Sequence, residues 1–158
     1  MRVIGKLNVL VATGFGLGLV APFAPGTVGS VPGVVLAYFM SYLPLWGQVA
    51  ACAALVFLSI PVCGAAERRF GIKDDGRITA DEWMLYPVAL VGLPLHALAW
   101  WELAAFFVVI RALDIVKLPP ARQMQALPGG WGIVLDDFVS NLQSLGVNWL
   151  LYLCVFSR

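Results

Sequence analysis

Two adjacent carboxylates, Asp136 and Asp137, follow the glycine-rich string Gly129-Gly130-Trp131-Gly132 in a chain that is 61% hydrophobic. Taking a carboxylate out of water is costly enough that such groups are normally paired, hydrogen-bonded or bound to a metal, so the pair reads as half of a site. Of the nine acidic residues, seven fall in three groups: Asp74, Asp75, Asp81 and Glu82; Asp114; and Asp136 with Asp137. Carboxylates that converge without histidine or cysteine suit a hard cation, Mg2+ or Mn2+, and not zinc. Asp81-Glu82 and Asp136-Asp137 each open an apolar segment read as helical, a place the helix macrodipole also favours. Neighbours on a helix point about 100° apart, so one member of each pair can face inward. Arg111, Asp114 and Lys117 recur every three residues and share a helical face. That stripe offers one ligand and two cations for a phosphoryl group, or else intrahelical salt bridges alone.

The remaining chemistry-bearing types are sparse. Thr13-Gly14-Phe15-Gly16-Leu17-Gly18 and Pro22-Phe23-Ala24-Pro25-Gly26-Thr27-Val28-Gly29-Ser30 form a loop that cannot be one regular helix. It can offer backbone N–H groups and hydroxyls to a phosphate, or serve as a tight-packing loop. No strand precedes it and the P-loop lysine is absent, which rejects a nucleotide fingerprint. His96, the single histidine, has no partner at ligand spacing and sits close to Trp100 and Trp101. Cys52, Cys63 and Cys154 show no CxxC pair, so neither a disulfide framework nor a zinc site is indicated. A net charge of +1 without a basic tract argues against a nucleic-acid partner.

The elements that must position these groups are apolar helices. Mean hydropathy is +0.88, far above that of an ordinary soluble domain, and no strand-like alternation occurs. The expected fold is all-α: one membrane-associated helical bundle, residues 1–158, with short hydrophobic helices and a cytoplasmic-side acidic site. Residues 1–12 predict an amphipathic helix. Residues 31–66 predict two helices of about 14 and about 18 residues, short for a span needing about 20. Tyr38, Tyr42 and Trp46 would mark their far interface. Residues 83–110, broken by Pro87 and Pro94, predict a second short hairpin, and residues 139–156 a last helix. Arg2 and Lys6 at one end and Arg68, Arg69, Lys73 and Arg77 after the first hairpin put all three acidic groups on the cytoplasmic side.

These motifs together resemble the phosphatidylglycerophosphatase A family: Thr13-Gly14-Phe15-Gly16 with Pro25-Gly26-Thr27-Val28-Gly29-Ser30, Asp81-Glu82, Arg111-x-x-Asp114-x-x-Lys117, and Gly129-Gly130-x-Gly132-x-x-x-Asp136-Asp137. The resemblance implies a Mg2+-dependent lipid phosphatase of the bacterial cytoplasmic (inner) membrane that converts phosphatidylglycerophosphate to phosphatidylglycerol. It carries functional roles onto Asp81, Glu82, Asp114, Lys117, Asp136 and Asp137, with Thr27 and Ser30 in the loop. On this footing Asp81, Glu82, Asp136 and Asp137 hold the metal, and Thr27, Ser30, Arg111 and Lys117 bind phosphate. Asp114, Asp136, Asp137 and Lys117 act in catalysis, Asp114 as a further ligand or a base. Leu85, Leu118-Pro119-Pro120 and Ser140-Asn141 depart from the family pattern beside the carboxylates and bear on the lipid pocket. Two-histidine lipid phosphatases and CDP-alcohol transferases do not fit. A substrate-shifted or non-catalytic membrane homologue, such as a Mg2+-binding protein or transporter subunit, is the alternative, but carboxylates at segment ends beside arginine and lysine favour an anionic substrate over cation conduction.

Overall fold

The computed structural model describes residues 2–21 and 23–157, with the side chains of residues 2–4 excepted. The Arg2 side chain, Pro22 and Arg158 therefore lie outside the described residues. The described residues form helices and turns without any strand.

The amphipathic segment folds as α1 (Arg2–Ala12) and lies along the polar end of the first long helix, where Asn8 Nδ2 donates to Val62 O at 3.4 Å. The following loop is less irregular than its glycines predict. It holds two short helices, α2 (Leu17–Val20) and α3 (Pro25–Gly29), before α4 (Val31–Met40). Pro25 supplies a pre-set first helical position for α3, and Ser30 N closes its turn on Gly26 O at 2.9 Å. The boundaries of the first hairpin also move. α4 has ten residues, whereas α5 (Leu45–Phe70) has 26, running through Glu67, Arg68 and Arg69 to a left-handed Gly71. Hydropathy marks only the apolar part of such a helix, and charged residues with good helix propensity carry it onward.

The predicted second hairpin has one helical arm, not two. After α6 (Ala80–Leu85) the chain makes 3-10 turns at Tyr86–Leu90 and Leu95–Ala97, and then α7 (Trp100–Val116) begins. Pro87 and Pro94 break the pattern, and the freed backbone groups find side-chain partners, as an apolar interior requires. Asn148 Nδ2 donates to Ala89 O at 3.0 Å, Trp149 Nε1 to Val91 O at 3.0 Å, and Gly92 N to Gln48 Oε1 at 2.8 Å. α7 is capped at its start by Glu102, whose Oε2 accepts from Ala99 N at 2.7 Å. It carries Arg111 and Asp114 in its last turns and ends at Lys117.

After α8 (Ala121–Met124), α9 runs over Gly130–Leu151 and continues as a π-type turn to Phe156. It starts nine residues before the predicted Val139. Asp136 and Asp137 therefore sit well inside it and not at its N-cap, and packing from three sides, not capping, decides their surroundings. α9 is the central element and touches α5, α6, α7 and α8. It crosses α5 at Gly130, where an added Cβ would strike Ile60 O and lie 2.8 Å from Gly64 N. Leu45–Phe70 and Gly130–Phe156 are long and apolar enough to cross a membrane. Phe57, Val108 and Leu150 are each more than 60% exposed, an apolar outer surface that lipid would cover at less cost than water.

Gly130→Ala is expected to force the two long helices apart and lower the thermal transition of the purified protein, at an overpacking cost of about 1–3 kcal/mol. Gly146→Ala, on the same helix with open space around it, should be neutral or stabilising by about 0.5–1 kcal/mol. A melting comparison in one detergent checks both.

Candidate active site

Asp81 and Glu82 occupy the first turn of α6, and the loop before it is tightly held. Asp75 accepts from Arg77 N at 3.0 Å, Nε at 2.9 Å and Nη2 at 2.6 Å, while the guanidinium lies 4.3 Å from the centre of the Phe70 ring. These charged hydrogen bonds hold the Asp75 carboxyl below its ordinary range. Thr79 N reaches Ala12 O at 2.8 Å and Trp83 Nε1 reaches Val11 O at 3.2 Å, which docks α6 against α1.

The glycine loop packs against the same helix. A Cβ on Gly26 would overlap the Glu82 carboxylate, so glycine there is a condition of the close approach of α3 to α6. Ser30 Oγ lies 2.8 Å from Gly26 O and 3.0 Å from Glu82 Oε2, and it accepts from Arg111 Nη1 at 3.3 Å. Its single proton serves one of the two oxygens. Ser30, expected to offer its hydroxyl to phosphate, is fully buried and braces Glu82 and Arg111. Thr27, by contrast, faces the cleft.

That cleft, of about 380 Å³, brings Thr27, Asp81, Glu82, Arg111, Asp114, Lys117 and Asp137 together. Arg111 Nη1 bonds Glu82 Oε2 and stands 3.0 Å from Asp114 Oδ2. Lys117 Nζ bonds Asp136 and lies 3.1 Å from Asp137 Oδ1. The 111-114-117 stripe therefore makes three ion pairs outside its own helix besides the one within it. Asp136 is buried and, unlike Asp137, does not line the main cleft. His96 is remote, at the other end of α4, stacked on Tyr42 with ring centres 4.8 Å apart.

Electrostatics follow from burial. Desolvation pushes the Asp81 carboxyl well above its ordinary value, and the Glu82, Asp74 and Asp136 charges add to it. Glu82 is also raised by burial, against the lowering pull of Arg111. Burial disfavours the Lys117 ammonium, but Asp137 and Asp136 outweigh it and hold Lys117 above its usual value.

Among the described residues no three His, Cys, Asp or Glu side chains form a ready ligand cage. Yet the buried oxygens Asp81 Oδ1, Asp114 Oδ1 and Asp136 Oδ1 have no hydrogen-bond partner. Five carboxylates here face two cations, and orphaned hard oxygens with a surplus of negative charge fit a divalent ion. Two further residues were not singled out from the sequence. Thr79, the residue before α6, is fully buried with Oγ1 unpartnered, and its place two positions before Asp81 was the available signal. Asp74 also lines the cleft, and its membership of the first acidic group was the clue.

An all-helical chain that sets oxygen ligands and two cations around one cleft between apolar helices has the makings of a phosphate-handling membrane enzyme. Comparison with known proteins agrees. The family model for phosphatidylglycerophosphatase A matches residues 10–152. Phosphatidylglycerophosphatase A of Escherichia coli (strain K12) is 34% identical over 144 residues, 90% of this chain and 81% of that protein. The protein of that name from Haemophilus influenzae is 33% identical over 86% of this chain and 83% of its own length. A Bacteroides thetaiotaomicron protein named "Putative phosphatidylinositol-3-phosphatase" is 32% identical over 87% of this chain and 89% of its own length. No solved structure matches. The chain belongs to the phosphatidylglycerophosphatase A family and is a phosphatase.

Removing one partner of the Arg111–Glu82 pair leaves a buried charge exposed to its like-charged neighbours. Arg111→Met and Glu82→Gln are each expected to destabilise, and the double variant to cost less than their sum. A coupling of about 0.5–3 kcal/mol in a double-mutant thermal cycle is the expected result; additive losses would show that the pair is not energetically coupled.

Proposed function

We propose that residues 1–158 form one catalytic domain that removes the terminal phosphate of phosphatidylglycerophosphate at the cytoplasmic face of the bacterial inner membrane, with Mg2+ as cofactor. The observation that carries this reading is the meeting of Arg111 and Lys117 with Asp81, Glu82, Asp114 and Asp137 in one cleft between apolar helices. Asp81, Glu82, Asp136 and Asp137 would hold the ion, whose contribution when bound is Lewis-acid stabilisation of phosphoryl charge.

The chain's own residues do the rest. Arg111 and Lys117 neutralise the phosphomonoester and fix its orientation, and the Thr27 hydroxyl donates to a phosphoryl oxygen. The carboxylates around the two cations keep them from closing on bulk anions until a substrate enters. Asp114 Oδ1, buried and unpartnered, accepts a proton from the attacking water. The acyl chains stay among the exposed apolar side chains of the helices while the headgroup reaches the cleft.

One relative supports a second reading, in which the phosphomonoester sits on a different lipid headgroup. Ser140 and Asn141, buried on α9 next to Asp137, are the departures that would alter the pocket.

Phosphate release from phosphatidylglycerophosphate by detergent-purified protein tests the proposal. Release with Mg2+ should stop in EDTA, Asp114→Asn should lose about 10²–10⁴-fold, and Lys117→Met about 10²–10³-fold. Turnover of a phosphoinositide or phosphatidic acid alone would move the substrate and keep the chemistry. Inactivity of folded protein toward all three lipids would favour a non-catalytic homologue.

A further inference from the structure

Asp74 lies in the loop between α5 and α6 with its backbone in the left-handed region, at φ 50. Its amide N donates to Glu67 Oε1 at 3.3 Å, and the adjacent Asp75–Arg77 clamp fixes the chain on its other side. The loop is thus anchored at two points within four residues. Asp74 forms part of the wall of the main cleft and also of a smaller cleft of about 270 Å³ beside it, shared with Lys73 and Gln125. The residue is exposed, and it lines the main cleft together with Asp81.

Asp81 is the independent pointer to a ligand. It is 7% exposed and keeps one buried oxygen without a partner. Buried oxygens of that kind normally require a donor or a cation. Arg111 and Lys117 are taken up by Glu82, Asp114, Asp136 and Asp137. The Asp81 Oδ1 position remains open, and Asp74 is an exposed carboxylate on the wall of the same cleft. Mg2+ characteristically keeps several waters and uses one or two carboxylates, so a seat with buried acids behind and an exposed acid at the rim suits it.

We propose that Asp74 is a further member of the cation-holding set, placed at the solvent rim of the cleft whose inner wall carries Asp81. This rests on the metal-dependent reading given above. The aspartate would capture the hydrated ion and hold it against the buried Asp81 carboxylate, directly or through one of the ion's waters.

Mn2+ titration of the purified full-length chain in detergent, followed by the electron paramagnetic resonance of the free ion, provides a readout apart from turnover. Asp74→Asn and Asp74→Gly both tolerate a positive φ, so either decides the matter if the other fails to fold. Each should bind Mn2+ about 10- to 100-fold more weakly than wild type, with unchanged helical circular dichroism. The Mg2+ concentration for half-maximal phosphate release should rise at an unchanged KM for lipid. Wild-type Mn2+ affinity in folded variants would overturn the role of Asp74 and leave the metal reading standing. A wild-type chain that binds no Mn2+ would overturn that reading, and this inference with it.

Discussion

Everything in this molecule is subordinate to the cost of holding Asp81, Glu82, Asp114, Asp136 and Asp137 largely out of water. Born solvation disfavours each of them, and their mutual repulsion adds to it. Arg111 and Lys117 are the two compensating charges, and they sit on one face of the end of α7 where both acidic pairs can reach them. The Arg111 Nη1 nitrogen alone stands within reach of Glu82, Ser30 and Asp114. Two cations do not balance five carboxylates, and the remainder shows as buried oxygens without partners. That deficit is the physical basis of the divalent ion proposed above.

The backbone is bent to serve this arrangement. α3 approaches α6 closely enough that Glu82 occupies the space a side chain at position 26 would need. α9 presents a buried polar face, Asp137, Ser140, Asn141, Ser144 and Asn148, in a helix otherwise apolar enough to cross a membrane. Three of these side chains donate to backbone carbonyls: Asn141 Nδ2 reaches Asp137 O at 2.9 Å, Ser144 Oγ reaches Ser140 O at 2.8 Å, and Asn148 holds Ala89 O. The broken segment between α6 and α7 depends on the last of these contacts, because its prolines remove the hydrogen bonds a helix would have supplied. Site and scaffold share one helix, with the acids in its N-terminal half and the structural amides nearer its other end.

The family relationship and the cleft bear on different questions. Similarity over residues 10–152 establishes a phosphatase. The disposition of charges separates a polar cleft from apolar outer faces. The cleft opens between α3, α6 and α7, while the outer faces of α5 and α9 expose Phe57 and Leu150.

Composition by itself determined the all-α class and the apolar helices, because hydropathy and periodicity are local properties that survive without tertiary knowledge. The acidic groups and the 111-114-117 stripe were legible for the same reason: charge in an apolar chain is conspicuous, and a spacing of three puts residues on one helical face. Element boundaries were not. The start of α9 at Gly130 and the extension of α5 through Glu67 depend on packing that no local window contains. Nor could sequence alone separate the roles within the site. Ser30 and Thr27 are both small hydroxyls in one loop, and only the approach of α6 buries the first behind Glu82 and leaves the second facing the cleft. Asp74 and Asp75 are neighbours of identical type. Tertiary contact commits Asp75 to Arg77 and leaves Asp74 on the cleft wall, because Asp75 alone has Arg77 close enough to clamp it with the backbone and guanidinium together.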